Sequence, residues 1–170
     1  MILHPYTRTR EAEQAPTWAY LRGIGYPVLD VLCEAEGDYA AALLAHWNDP
    51  GDLVIIEQDI VPPAGMLADF DCCVWGACTG PYLLRGGAVS LIDPVTRIAL
   101  PGAPIDYRDA MLPVISGLGC VRLRRGAREA MSPDRFVGSW HGLDERVSRA
   151  LIECGSAWHV HEPVAHTGRP

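Results

Sequence analysis

Leu53-Val54-Ile55-Ile56-Glu57-Gln58-Asp59-Ile60 opens with four apolar residues and then places two carboxylates one residue apart. The turn Asp49-Pro50-Gly51-Asp52 precedes it, so the apolar run reads as a buried strand over Asp52–Glu57. Alternate side chains of a strand share a face, which lets Glu57 and Asp59 reach toward one point at the strand's end. Two oxygen donors converging beside a sheet suit a divalent cation that carries phosphates. The plainer alternative is that both carboxylates cap the strand and face water.

On the N-terminal side, Met1–Tyr6 reads as a short strand running through Pro5. Residues 11–24 suit a helix ending at Gly23 or Gly25, and Pro27–Cys33 suits a strand. Tyr39, Leu43, Leu44 and Trp47 follow helical spacing. On the C-terminal side, Pro62-Pro63 precedes a helix over Ala64–Phe70. This alternation of strand and helix predicts an α/β fold with a mostly parallel central sheet and helices on both faces. Ligands of such sheets bind outside the carboxyl ends of the strands. His4-Pro5-Tyr6-Thr7, Cys33-Glu34 and Glu57-Gln58-Asp59 all lie at such ends.

The second part of the chain has less pattern. Cys73–Cys78 and Tyr82–Leu84 read as strands, while Gly86-Gly87 and Asp93–Pro104 suggest loops or a hairpin. Ile115–Leu123 reads as one strand, with Gly117-Leu118-Gly119 marking a close backbone approach. In Leu143–Cys154, Leu143, Val147, Leu151 and Cys154 form one helical face, and Gly155 is the stop. Trp158–His161 suits a last strand. Without repeats or a linker, the 170 residues are expected to form a single domain.

Composition narrows the chemistry. Hydrophobic residues make up 49% and charged residues 21%, ordinary for a globular chain and wrong for a disordered one. The net charge of −7 argues against general electrostatic binding of nucleic acid. All 14 basic residues are Arg, so a Lys-containing P-loop and Schiff-base chemistry are both excluded. No apolar run approaches the ~20 residues of a membrane span. No basic, signal-type segment precedes Ile2-Leu3, and a cytoplasmic protein is expected. Cys72-Cys73-x4-Cys78 lacks CxxC spacing and a paired second half, so reduced, mostly buried thiols are expected rather than a zinc site.

Four stretches, in order, resemble the GT-A-fold glycosyltransferases, specifically a small, family-two-like member. Ile2-Leu3-His4-Pro5-Tyr6-Thr7-Arg8 is similar to the first strand and loop of the nucleotide site. Val54-Ile55-Ile56-Glu57-Gln58-Asp59-Ile60 resembles the acidic metal motif, with Glu in place of the usual first Asp. Gly117-Leu118-Gly119-Cys120-Val121-Arg122 resembles the later glycine-containing strand. Trp140-His141-Gly142-Leu143-Asp144 and His159-Val160-His161-Glu162-Pro163-Val164-Ala165-His166 resemble the catalytic helix and the C-terminal metal histidine.

The resemblance implies a three-layer, Rossmann-like fold. Residues 1–70 would form a nucleotide-binding half and residues 71–170 an acceptor and metal half. Sugar transfer from a nucleotide-diphosphate donor, of UDP- or GDP-sugar type, would proceed with inversion at an acceptor hydroxyl. Glu57, Asp59 and His166, with His161 ranked second among the histidines, would hold Mn2+ or Mg2+. Asp144 would be the general base, with Glu145 a competitor expected on the solvated face. Pro5, Tyr6, Thr7, Arg8 and Gln58 would contact the nucleotide, and Glu34 or Asp38 the edge of its base. The chain is short for the fold. A partner or a second copy could therefore complete the acceptor site, and the acceptor could be a glycan or nucleic acid.

The residues also allow other readings. Asp144 in a helix's first turn can be an ordinary N-terminal carboxylate. His159 and His161 alternate on one strand face, as the HxH pair of a zinc-dependent hydrolase would; the plainer reading is surface or core histidines. Arg122, Arg124, Arg125, Arg128 and Arg135 form a basic run, either a solvated face or a grip on diphosphate or an acidic acceptor. A nucleotide-sugar-binding module without catalysis is the third possibility.

Overall fold

A computed structural model describes residues 1–7, 11–84, 86–102, 105–139 and 141–167. Its frame is a seven-stranded sheet. In chain order the first half supplies β1 (Ile2–Tyr6), α1 (Glu11–Gly23), β2 (Val28–Leu32), α2 (Asp38–Ala45), β3 (Leu53–Ile56), β4 (Ile60–Val61) and α3 (Met66–Cys72). The second half supplies β5 (Ala77–Thr79), β6 (Ala88–Ile92), β7 (Ala99–Pro101), β8 (Met111–Leu112), β9 (Ile115–Ser116), β10 (Cys120–Leu123), α4 (Arg125–Ala130), α5 (Leu143–Glu153), β11 (Trp158–Val160) and β12 (Ala165–His166).

The main sheet has the order β2-β1-β3-β10-β5-β11-β8. β1, β2, β3, β5 and β11 point the same way, while β10 and β8 run against them. Strands from both halves of the sequence therefore share one sheet. Two small sheets, β12-β4 and β7-β6-β9, flank it.

Side-chain alternation sorts the sheet residues into two cores. Leu3, Ile55 and Val121 sit side by side in register and face α2 and α5, with Leu43, Trp47, Val147 and Leu151. Ile2, Val54, Ile56 and Cys120 face the other way, against Leu21 of α1 and Met66, Leu67 and Phe70 of α3. The result is three layers, with helices on both faces. Each large apolar side chain contributes about 1.5–3 kcal/mol by leaving water. A one-residue slip of β3 would exchange the two faces, so burial fixes its register.

α5 follows its expected pattern except at its end. Leu143, Val147 and Leu151 are buried together with Ala150, but Cys154, expected on the same face, is the C-cap and is exposed; Gly155 ends the helix at φ 74°. Its N–H donates to Ile152 O at 2.9 Å, and the Ser156 N–H to Leu151 O at 3.1 Å. Among the described residues no helix is long and apolar enough to cross a membrane.

The middle of the chain departs from expectation in three places. The run read as one strand over 115–123 is two strands, broken at Gly117-Leu118-Gly119. The Tyr82 ring fills the space beside both glycines, so a Cβ at Gly117 would lie 2.6 Å from its hydroxyl and one at Gly119 2.8 Å from its ring edge. Of Cys73–Cys78 only the end is strand, and at Tyr82–Leu84 only Leu83 makes a bridge, to Val89. The hairpin expected as one alternative after Gly86-Gly87 is present, as the antiparallel pair β6–β7.

Candidate functional site

A cavity of about 370 Å³ opens at the carboxyl ends of β1, β2 and β3. Its walls include Pro5 and Tyr6 at the end of β1 and Thr7 after it, Cys33 after β2, and Glu57, Gln58 and Asp59 after β3. The far wall is Gly117-Leu118 and the start of α5, with His141, Gly142, Leu143 and Asp144. The strand-end rule thus places the acidic pair at the mouth of the sheet.

Local bonds shape this mouth. The Glu57 N–H donates to Gly119 O at 2.9 Å, and the Ile60 N–H to Glu57 O at 3.1 Å, turning the chain after β3. Gln58 Oε1 accepts the Thr7 N–H at 2.7 Å, tying the acidic turn to the loop after β1. Tyr6 is braced by Trp18, edge to face at 5.4 Å between ring centres. Arg8 lies outside the described residues, as does Trp140.

β12 pairs antiparallel with β4, with His166 opposite Ile60. The Thr167 N–H donates to Asp59 O at 2.7 Å, anchoring the end of this pairing. His166 Nε2 consequently lies 3.2 Å from Asp59 Oδ2. Tyr82 stacks on the His166 ring at 5.1 Å between centres. Tyr82 and Tyr39 line the cavity and were not read as site residues. Tyr82 follows the carboxyl end of β5, and that position is the signal that marks it.

The carboxylates crowd one another. Glu57 is partly open to the cavity and otherwise enclosed, and burial pushes its carboxyl up to about 7. The negative fields of Asp59 and Asp144 push the same way, while the Tyr39 hydroxyl acts in opposition. That hydroxyl is buried and has no hydrogen bond of normal geometry. Burial also raises the Asp144 carboxyl above its ordinary range, offset by the Glu145 N–H, 2.8 Å from Oδ1. Glu145 behaves differently: hydrogen bonds from Arg97 and Arg149 bring its carboxyl down to about 2.

Oxygen donors plus one imidazole form a set that Mn2+ or Mg2+ accepts, and a cation would relieve the clustered negative charge. The residues at the acidic turn therefore fit a divalent ion by chemistry. Their donors are not gathered tightly, however. Among the described residues the group whose ligand atoms all lie within 4.8 Å of one another is Cys73, Cys78, His159 and His161. His161 stands in that second cluster, its Nε2 3.1 Å from His159 Nδ1 and its ring against Phe70.

Other expected contacts lie elsewhere. Asp38 Oδ2 accepts the N–H groups of Glu34 and Ala35 at 2.8 and 2.7 Å, which holds its carboxyl low. Asp38 and Glu34 flank Tyr39 and Cys33, which line the cavity. The basic run is not one solvated face. Arg122 and Arg128 are buried. Arg122 bonds Asp52 and the carbonyls of Cys73 and Trp75, and Arg124 also bonds the Cys73 carbonyl. Arg125 pairs with Glu129 and Arg135 with Glu153.

No family model matches the chain, and no curated protein matches it either. Solved structures do. The chain is similar to A197 from STIV, with a TM-score of 0.61 at 14% identity over 96% of this chain and 81% of that one. It is also similar to a Drosophila β-1,4-galactosyltransferase 7 point mutant in complex with manganese, UDP-Gal and xylobiose. There the TM-score is 0.50 at 16% identity, over 99% of this chain and 71% of that one. The likeness is one of fold: a mixed α/β architecture similar to that of a GT-A glycosyltransferase.

Proposed function

We propose that this chain is a metal-dependent glycosyltransferase that moves a sugar from a nucleotide-diphosphate donor to an acceptor hydroxyl with inversion. The observation that carries the reading is the cavity's division of labour. Asp59, paired with His166, lines the cavity after β3, and Asp144 lines the same cavity at the start of α5. The similarity of fold to a galactosyltransferase supports the same reading.

Asp59, Glu57 and His166 would hold Mn2+ or Mg2+, which when bound would neutralise a diphosphate leaving group. Pro5, Tyr6 and Thr7, the last bonded to Gln58, would seat the nucleotide together with Arg8. Asp144 would take the proton of the acceptor hydroxyl as its oxygen attacks the anomeric carbon and the bond to diphosphate breaks. Its raised carboxyl makes it a stronger base than an ordinary aspartate. Glu145, held by two arginines, is poorly suited to that role. A glycan acceptor fits better than nucleic acid, because the net charge is −7 and two arginines of the basic run, Arg122 and Arg128, are buried.

A thermal-shift panel of UDP- and GDP-sugars, with and without Mn2+, tests the donor site. A shift that needs both metal and nucleotide sugar is expected, and no shift with any donor would sink the reading. Donor binding without transfer or donor hydrolysis would leave a binding module in its place.

A further inference from the structure

We propose that Cys73, Cys78, His159 and His161 bind one zinc ion as a closed structural site, separate from the acidic turn. The parallel pairing of β11 with β5 sets His159 beside Cys78. His161 N–H donates to Thr79 O at 2.8 Å, holding the following residue against β5. Cys73 comes from the segment that leaves α3. Three separate stretches of chain thus deliver their ligand atoms to one point.

The spacings lie on the short side of a zinc tetrahedron's edges, within about half an ångström of them. Cys73 and Cys78 Sγ are 3.2 Å apart, Cys73 Sγ and His159 Nδ1 3.3 Å, and His159 Nδ1 and His161 Nε2 3.1 Å. Zinc–sulfur and zinc–nitrogen bonds of ordinary length give tetrahedral edges of roughly 3.3–3.8 Å. The sulfurs are too far apart for a disulfide, whose bond is about 2.05 Å. Two thiolates and two neutral imidazoles form the soft donor set that selects zinc over Mg2+ or Mn2+. On binding, each thiol would release its proton to solvent, and the two thiolates would neutralise the ion.

The surroundings suit that charge. Arg122 Nη2 donates to Cys78 Sγ at 3.0 Å, as a hydrogen bond to a ligating thiolate would. The Asp109 carboxylate lies on the Nε2 side of the His159 ring, its Oδ1 3.9 Å away and so beyond hydrogen-bond distance. Four protein donors leave no open coordination position, so the ion would be structural rather than hydrolytic. It would clamp the 73–78 segment to β11, whose chain continues to Val164, bonded to Pro81 O at 2.9 Å, and then to β12.

The test uses the full chain, reduced and stripped with a chelator, titrated with Co2+ and then Zn2+. One equivalent of Co2+ should give the intense visible bands of a tetrahedral ion and a thiolate charge-transfer band, both erased by one equivalent of Zn2+. Cys73→Ser and His161→Asn, at the partly exposed ligands, should each lose these bands while circular dichroism stays native. Cys72→Ser, Cys154→Ser and Asp59→Asn should keep them. A featureless titration of the folded wild type would overturn the site. So would bands that survive in the Cys73→Ser, His161→Asn double variant, or a Cys73–Cys78 disulfide isolated from reductant in place of the metal complex.

Discussion

Asp59 Oδ2 and His166 Nε2 are 3.2 Å apart because the last described strand, β12, returns to pair with the short strand that follows the acidic turn. The contact joins residues far apart in sequence at the cavity that also holds Asp144. If the pair is half of a metal site, Asp59→Asn should abolish Mn2+-dependent donor binding and His166→Ala should weaken it about 10- to 100-fold, the latter being the more peripheral change. Calorimetric titration of Mn2+ with a nucleotide sugar present measures both. Unchanged Mn2+ affinity in Asp59→Asn would remove the acidic turn from the metal reading.

Glu57 offers a separable test of crowding. Its carboxyl moves from an ordinary 4.5 to about 7 in the folded chain, so folding favours the protonated form. Below the unfolded value both states are protonated and the group costs nothing. As pH rises through about 7 the folded state must carry a charge it disfavours, at a cost of up to about 3 kcal/mol. Glu57→Gln should therefore stabilise the metal-free chain at pH 8 and leave it unchanged near pH 4. Denaturant unfolding at several pH values reads the difference, and equal gains at both ends would mean a packing effect instead.

The sequence made the first three strands legible because Pro, Gly and Asp punctuate them and their apolar runs have no competing period. It also made the acidic turn and Asp144 legible as candidates. β12 was too short, at two residues, to leave a pattern, although it is what brings His166 to Asp59. The break at Gly117-Leu118-Gly119 packs against Tyr82, a residue well upstream, and the apolar run by itself carries no sign of it. The Cys73–Cys78–His159–His161 cluster arises from the β5–β11 register; the HxH spacing marks its histidine half, but nothing along the chain joins that half to the cysteines. Arg122 and Arg128 looked solvated because nothing local marks a guanidinium that bonds remote backbone carbonyls.

Asp144→Asn keeps shape and removes basicity. Transfer should fall about 10²- to 10⁴-fold, while the metal-dependent donor shift remains. Initial-rate assays beside thermal shifts separate the two. Full transfer activity in Asp144→Asn would dismiss it as the base.

Tyr82 couples packing to the site, since it touches Gly117 and Gly119 on one side and stacks on His166 on the other. A Cβ at Gly119 would meet the Tyr82 ring at 2.8 Å and Ile60 Cγ1 at 3.0 Å. Gly119→Ala should cost about 1–3 kcal/mol by overpacking and also weaken Mn2+ binding by shifting the ring beneath His166. Tyr82→Phe, which keeps the ring, should preserve Mn2+ affinity. A Gly119→Ala chain with wild-type stability would show that the ring can yield.

Arg128 discriminates a structural guanidinium from a phosphate grip. It is buried and donates to the carbonyls of His46, Trp47, Asp49 and Gly51, while the Trp47 indole N–H donates back to Arg128 O at 3.1 Å. These bonds hold the turn that enters β3, at the opposite end of that strand from the cavity. Arg128→Met would strand several carbonyls without donors, costing about 3–5 kcal/mol. Arg128→Lys should recover only part, because one ammonium cannot fork across the whole turn. Donor affinity per folded molecule should be unchanged in both. A selective loss of donor affinity with stability intact would instead make Arg128 a ligand contact and reopen the basic run as a binding surface.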